Sequence, residues 1–162
     1  MTHKLKVLLE DELSVLVYSR RIQASEFDEV RQELDAIPGF SPLFDDLTLL
    51  APDADYSEIA PEVAMAQAVK FVEAFSAMPL KRPKRCAFVC TTTMQVAMAR
   101  MFGAFVYSRA IPNLDVRDFM SLEPALDWID ECRPSRKLNR ARIEKALDQM
   151  GERWCIKRNA AA

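Results

Sequence analysis

The fold is decided by residues 86–130, which read CAFVCTTTMQVAMARMFGAFVYSRAIPNLDVRDFMSLEPALDWID. This stretch predicts a strand, a helix, a strand and a helix in turn. The two strand segments, CAFVC and LDVRDF, are short apolar or alternating runs, whereas MQVAMARMFGAFVYS and SLEPALDWID place apolar residues at helical spacing. Because no catalytic motif lies inside it, the stretch indicates a small α/β domain and does not indicate a particular reaction.

The same two periodicities predict the remaining elements. An opening hairpin is expected around the acidic turn at residues 10–12, and Ser25 is expected to cap the first helix. The sequence therefore predicts an α/β fold with a mixed, mostly parallel sheet of about five strands, helices packed on it, and a C-terminal amphipathic helix. The further predicted elements are strands 5–9, 14–18 and 45–51 and helices 25–37 and 61–77.

Length and composition limit the classes of protein to which the chain can belong. The chain has 162 residues, of which 50% are hydrophobic, 28% are charged and only three are glycine, so we expect one globular domain and no long disordered segment. No apolar run approaches the ~20 residues that a membrane-spanning helix needs, and acidic residues follow the start too soon for a signal peptide. We therefore expect a cytoplasmic protein with no transmembrane segment.

The C-terminal part is strongly basic. Residues 133–158 hold nine basic and three acidic residues, which leaves 13 basic and 21 acidic residues in the rest of the chain. We divide the chain into an α/β domain at 1–131 and a basic helical extension at 132–162. Because the acidic body would repel phosphates, we expect no nucleic-acid binding and interpret the extension as a strut within the chain or between subunits. The apolar stripe of its predicted helix is Ile143, Leu147, Met150 and Trp154.

Residue types that carry chemistry are sparse and scattered. The four cysteines are interpreted as reduced thiols, with Cys86 and Cys90 buried on one side of a strand. The single histidine, His3, lies at a chain end that is expected to fray. No catalytic group, metal site or cofactor is therefore predicted. Three acidic pairs are interpreted as solvated turn residues: Asp11 and Glu12, Asp45 and Asp46, and Asp53 and Asp55.

Three consecutive segments carry a family resemblance: AMARMF (97–102) in a helix, VRDF (116–119) in a strand and SLEPALDWI (121–129) in a helix. With these segments, residues 4–131 resemble bacterial STAS-type domains, in particular the anti-sigma-factor-antagonist-like group related to CRAL-TRIO lipid-binding domains. The resemblance implies a module that switches between protein partners or binds an apolar small molecule.

The resemblance also implies a phosphorylation site. In STAS-type domains the switch serine follows the third strand, where this chain reads PDADYS at residues 52–57, so Ser57 is the residue that corresponds to it. The loop has neither the second hydroxyl residue nor the glycine of that pattern. A serine that only completes a turn or caps a helix is the alternative interpretation.

Two sets of residues are candidates for binding. Thr91, Thr92 and Thr93 follow a strand and precede a helix, at the end of the sheet where open α/β folds bind ligands, so their hydroxyls and amides could hold an anion. The alternative is that one threonine caps the helix and the others complete the loop. The helices 61–77 and 94–107 are apolar over most of their circumference, which suits a pocket for an apolar ligand, a homodimer interface or a filled core. The candidate ligand-binding residues on them are Met65, Val69, Phe71, Phe75, Met98, Met101, Phe102 and Phe105.

These observations predict a non-enzymatic regulatory or binding module that binds a protein partner or an apolar small molecule. One alternative is a homodimeric structural or interaction protein that self-associates through its apolar helices. Another is an enzyme that uses the strand–helix turn at residues 91–93. A concave polar cleft with perturbed titratable groups at that turn would distinguish the enzyme from the binding module.

Overall fold

The structure is a computed structural model that describes residues 2–78, 80 and 82–151. Those residues form five strands and five α-helices, which confirms the predicted α/β fold. The strands are β1 (His3–Leu8), β2 (Leu13–Tyr18), β3 (Asp45–Leu50), β4 (Lys84–Val89) and β5 (Leu114–Phe119). The helices are α1 (Ser25–Ala36), α2 (Pro61–Ser76), α3 (Thr93–Ser108), α4 (Leu122–Glu131) and α5 (Arg140–Gln149).

The strands form one mixed sheet in the order β1-β2-β3-β4-β5. β1 runs antiparallel to β2, and every other neighbouring pair is parallel. A 3-10 turn, Leu9–Asp11, closes the opening hairpin, and Glu12 completes it with a left-handed backbone (φ 46°). β1 begins at His3, ahead of the predicted start, because His3 pairs with Tyr18 at the end of β2.

One face of the sheet, here called the α4–α5 face, is covered by α4 and α5. Alternate residues of β2, β3 and β4 point to it, and within the described residues its core cluster holds seventeen buried residues and only two partly buried ones. Ile143 and Leu147 of α5 are buried in this cluster, as the predicted apolar stripe requires. The described part of the extension, residues 132–151, therefore belongs to the core of the sheet, while Trp154 lies outside the described residues.

The opposite face, here called the α1–α3 face, is covered by α1, α2 and α3. It holds two smaller clusters, one under α1 and the loop at residues 51–60, and one between α2, α3 and the strands β4 and β5. Among the described residues these clusters have six and five buried members, against eight and seven partly buried ones. This face is therefore less completely closed than the α4–α5 face.

The start of α1 differs from the prediction. Ala24 takes the N-cap position and Ser25 is the first helical residue, with no side-chain hydrogen bond at the cap. The Gln23 N–H instead donates to Glu26 Oε1 at 3.0 Å. Because Ser25 lies inside the helix and the preceding Ala24 also has a helical backbone, the Ser25 hydroxyl is not at the non-helical position from which a cap bonds the first amides. The prediction of Ser25 as the N-cap is therefore wrong.

Candidate functional site

The threonine turn at residues 91–93 is organised by Gln95. Thr92 is the N-cap of α3, and its Oγ1 accepts the Gln95 N–H at 3.3 Å. In return, Gln95 Oε1 accepts the N–H of Thr91 at 2.8 Å and that of Thr92 at 3.3 Å. This arrangement is a capping box, so the chain itself occupies the amides of Thr91, Thr92 and Gln95. Thr93 is exposed at the first position of α3.

Gln95 also ties this turn to the loop that follows β3. Its side chain is buried, and Nε2 donates to Ala51 O at 2.9 Å and to Ala54 O at 3.3 Å. The Thr91 hydroxyl reaches the same loop through Leu50 O at 3.2 Å. Sequence reasoning misses Gln95, although the spacing from Thr92 to Gln95 is the sequence signature of a capping box. The turn is thus a structural joint at the carboxyl ends of β3 and β4.

The aromatic members of the predicted apolar set pack against one another inside the α1–α3 face. The Phe71 ring centroid lies 5.0 Å from that of Phe75 and 5.2 Å from that of Phe102. Phe102 in turn lies 5.7 Å from Phe88 of β4, and the half-buried Phe105 carries the Arg109 guanidinium over its ring. These rings join α2 and α3 to each other and to the sheet, and Phe71, Phe75, Phe102 and Phe105 belong to the cluster between α2, α3, β4 and β5.

The aliphatic members of the same set remain near solvent. Met65 and Met101 are 42% and 50% exposed, and Met94, which sequence reasoning omits from the set, is 70% exposed. Val69 and Met98 are half-buried. Positions 94, 98 and 101 fall on one side of α3, and positions 65 and 69 fall on one side of α2. We call the five residues Met65, Val69, Met94, Met98 and Met101 the α2–α3 surface.

Ser57 is exposed in the loop ahead of α2, outside the N-cap position, which is Ala60. Its N–H donates to Asp55 Oδ1 at 2.9 Å. Hydrogen bonds from the Ser57 backbone and then from its hydroxyl hold the pKa of Asp55 below its usual value. This is an Asx turn, in which a carboxylate accepts the N–H two residues on. The implied phosphorylation residue is therefore open to solvent, but the helix N-terminus does not hold it.

A buried charge network lies at the amino ends of the parallel strands. Asp45 begins β3, and its Oδ2 accepts hydrogen bonds from Arg133 Nε at 2.8 Å and Nη2 at 2.6 Å. Arg133 also donates to the main-chain oxygens of Asp11 and Glu12 at 2.5 Å and 3.0 Å. The prediction that Asp45 is a solvated turn residue is wrong, because its carboxylate neutralises the Arg133 guanidinium inside the protein.

The neighbouring Asp46 points to the α1–α3 face and holds a second buried group. Lys84 Nζ lies 2.6 Å from Asp46 Oδ2 and also donates to Phe44 O. Ser14 Oγ and Cys86 Sγ donate to the same carboxylate at 2.5 Å and 3.4 Å. Burial, the largest single cause, would lower the pKa of Lys84, but the attraction and hydrogen bond to Asp46 together with the nearness of Cys86 and Asp45 outweigh burial, and the pKa is raised. Burial also raises the pKa of the Cys86 thiol, so this cluster holds a fixed ion pair beside a neutral thiol.

Asp11 and His3 are also buried, contrary to the predictions. Asp11 Oδ2 accepts a hydrogen bond from Arg142 Nη1 at 2.9 Å, so it is not a solvated turn residue. His3 Nδ1 lies 3.2 Å from Glu26 Oε2, and its Nε2 lies 3.1 Å from Glu33 Oε1. The prediction that the chain frays at His3 is wrong, because β1 is paired with β2 from this residue onward.

Within residues 2–78, 80 and 82–151, no group of three or more His, Cys, Asp or Glu side chains could hold a metal ion. The helices of that part include none with the length and apolar character needed to cross a membrane. No protein-family model matches the chain, and no curated protein or solved structure matches it significantly. Its function is therefore argued from its own geometry.

Proposed function

We propose that the protein is a non-enzymatic, regulatory binding module of the cytoplasm that docks an apolar protein partner on the α2–α3 surface. The observation that carries this proposal is the exposure of Met94 at 70%, Met101 at 50% and Met65 at 42% on two adjacent helices. Met94 and Met101 lie on the same side of α3, and exposed apolar side chains grouped in this way are typical of interaction sites. Methionine also adapts its shape to a partner because it is unbranched and flexible. The STAS-type resemblance of residues 4–131 supports a role in partner switching.

The state of the polar groups supports binding without covalent chemistry. Four ionisable groups, Asp45, Asp46, Lys84 and Arg133, form ion pairs at the amino ends of the strands, at the opposite end of the sheet from the threonine turn. At that turn, the capping box engages the amides of Thr91 and Thr92. An enzyme of the type considered above would need free polar groups there, so the geometry favours the binding module.

Self-association is the second candidate, and a specific feature of α3 favours it. Its exposed side carries Met94, Ala97, Met101 and Ala104. These positions are spaced by three, four and three residues, which is the spacing of a seam between two packed helices. Light scattering distinguishes the two candidates: a dimer that dissociates in a Met101→Lys variant supports self-association, and a monomer at all concentrations removes it.

The main test is native mass spectrometry of the full chain purified from its own host. The variant carries Met94→Lys and Met101→Lys, and the matched control carries Met120→Lys, since Met120 is 65% exposed but lies outside α2 and α3. We expect the wild type and the control to retain a protein partner and the double variant to lose it. The proposal fails if the wild type carries no partner, if all three proteins retain it, or if the bound mass is that of a small apolar molecule.

A further inference from the structure

Two tyrosines meet at the carboxyl ends of β2 and β3. Tyr18 is the last residue of β2, and Tyr56 lies in the loop after β3. Their ring centroids are 6.4 Å apart at an interplanar angle of 64°. The Tyr18 ring also lies 6.1 Å from the Phe27 ring of α1, in an edge-to-face arrangement. The pair thus sits at the end of the sheet where open α/β folds bind ligands, and it is separate from the α2–α3 surface.

The Tyr18 hydroxyl makes no hydrogen bond to any of the described residues, although Tyr18 is only 4% exposed. Among the described residues, the fully enclosed side-chain atoms without a partner are Thr2 Oγ1, Arg85 Nε, Trp128 Nε1 and Arg140 Nη1. Since the Tyr18 hydroxyl is not one of them, its oxygen atom still reaches solvent. A hydroxyl that is nearly buried and unpaired is costly, and such groups are ordinarily satisfied by a water or a bound molecule.

The surroundings of the pair are apolar and incompletely closed. The cluster that contains Tyr18 has more partly buried than buried members, and the partly buried ones include Leu16, Ile59 and Phe88. Phe27 and Tyr56 itself belong to the same partly buried group. A flat apolar molecule would therefore find aromatic side chains to contact on more than one side.

The groups near the pair suit an uncharged ligand better than a charged one. Burial, followed by the nearness of Glu26, raises the pKa of Tyr18, and burial followed by the nearness of Tyr18 raises the pKa of Tyr56. Both phenols are consequently neutral and can donate or accept a hydrogen bond. Glu26 is already engaged by His3 Nδ1 at 3.2 Å and by the Gln23 N–H at 3.0 Å. An anion would be repelled by this carboxylate, and a cation would have to leave water without a free partner.

We propose that Tyr18 and Tyr56 form the polar end of a binding site for a small uncharged aromatic molecule that carries a hydroxyl or carbonyl group. The aromatic part would contact the ring edges of Tyr18, Phe27 and Tyr56. The polar group would exchange a hydrogen bond with the Tyr18 hydroxyl, which has no partner within the described chain.

The test compares two probes of the same shape, p-cresol and p-xylene. p-Cresol carries a hydroxyl group where p-xylene carries a methyl group. Binding to the full chain is followed by amide chemical-shift titration. We expect the wild type to bind p-cresol about 3- to 10-fold more tightly than p-xylene, the range that one hydrogen bond provides. The shifts should be largest at residues around Tyr18 and Phe27. Equal affinity for the two probes, or the absence of saturable binding, overturns the proposal.

Two variants locate the hydrogen bond. Tyr18→Phe removes only the unpaired hydroxyl, so the protein should fold with unchanged stability while its preference for p-cresol disappears. Tyr107→Phe is the matched control, because Tyr107 is 84% exposed on α3 and should keep the full preference. If Tyr18→Phe retains the preference, Tyr56→Phe decides the outcome. If the preference for p-cresol remains in both variants, the assignment is overturned. If the preference is lost only in Tyr56→Phe, the site is kept and the hydrogen bond is assigned to Tyr56.

Discussion

On the α4–α5 face, seventeen buried residues of the described chain are accompanied by two partly buried ones, whereas on the α1–α3 face the partly buried residues outnumber the buried ones. Both faces belong to the same strands, whose side chains alternate between them. The closed face therefore provides most of the apolar burial that stabilises the fold. The open face keeps apolar side chains near solvent, which suits binding better than stability.

Two ion pairs, one on each face, differ in burial, although the α1–α3 face also holds the pair of Asp46 with the buried Lys84. Asp45 and Arg133 are buried together on the α4–α5 side, where α4 ends. Asp28 of α1 and Lys70 of α2 pair on the α1–α3 face, with Lys70 Nζ 3.0 Å from Asp28 Oδ1 and with both side chains nearly half exposed. A buried pair is strongly coupled to folding, while an exposed pair contributes little because water screens it. The predictions below use matched changes on the two faces.

The largest expected effect is the loss of the buried guanidinium on the closed face. Arg133→Met leaves the Asp45 carboxylate buried without its main partner, and we expect this to lower the free energy of unfolding by about 3–5 kcal/mol. Urea unfolding measures the change. The control is Arg136→Met, which alters an exposed residue and should change stability by less than about 0.5 kcal/mol. Equal effects of the two substitutions would contradict the role given to Arg133.

An Ile-to-Ala substitution on each face measures how completely the apolar side chains of that face are buried. Ile143→Ala removes a fully buried side chain from the α4–α5 cluster, for which we expect a loss of about 2–5 kcal/mol. Ile59→Ala removes a partly buried side chain from the α1–α3 face and should cost about 1 kcal/mol. Both values come from urea unfolding. A loss at Ile59 as large as that at Ile143 would show that the two faces are equally closed.

Gln95→Ala tests the joint between the threonine turn and the loop after β3. The substitution leaves the carbonyls of Ala51 and Ala54 and the amide of Thr91 without their partner, so we expect a loss of about 2 kcal/mol. Gln67→Ala is the control, since the Gln67 amide makes one long contact of 3.4 Å with Asp28. Hydrogen exchange should show the loop at residues 51–60 opening in Gln95→Ala alone. An unchanged loop would mean that the capping box is not its support.

The elements of both faces could be predicted from the sequence because their signals are local. β5 begins and ends as predicted, since LDVRDF is bounded by turn residues, and α2 begins at Pro61 as its place at a first helical position indicates. Gln95 could also have been found, because its partner Thr92 is only three residues away. Periodicity and capping act within one element, so the sequence displays them directly.

The buried charges could not be predicted in this way. Asp45 and Arg133 are 88 positions apart, and Asp11 and Arg142 are 131 positions apart, so no local pattern joins them. Acidic residues beside turns are ordinarily solvated. They are buried here only because the folded C-terminal segment brings Arg133 and Arg142 to them. Which sides of α2 and α3 are exposed could not be predicted either, for a different reason. Both helices are apolar nearly all round, so the pattern does not show which side faces solvent.

The smallest effect is expected at the exposed pair of the open face. Hydrogen bonding to Lys70 is the main cause that lowers the pKa of Asp28 in the folded protein. A lowered folded pKa means that this stabilising contribution is present above the unfolded pKa and is lost as the pH falls through the folded pKa. Lys70→Met should therefore raise the pKa of Asp28 toward its ordinary value, as measured by a carboxyl NMR titration. Stability at neutral pH should hardly change, because the pair is exposed.

The control for this pair is Lys145→Met, which alters an exposed lysine of α5 on the other face and should leave the titration of Asp28 unchanged. The comparison with Arg133→Met then separates two roles of charge in one molecule. Loss of the buried pair should lower the free energy of unfolding strongly at neutral pH, whereas loss of the exposed pair should lower it only slightly above the unfolded pKa of Asp28 and not at all below the folded pKa. A loss of stability at pH 7 in Lys70→Met as large as that in Arg133→Met would instead mean that α1 and α2 depend on each other, and that the open face is held as firmly as the closed one.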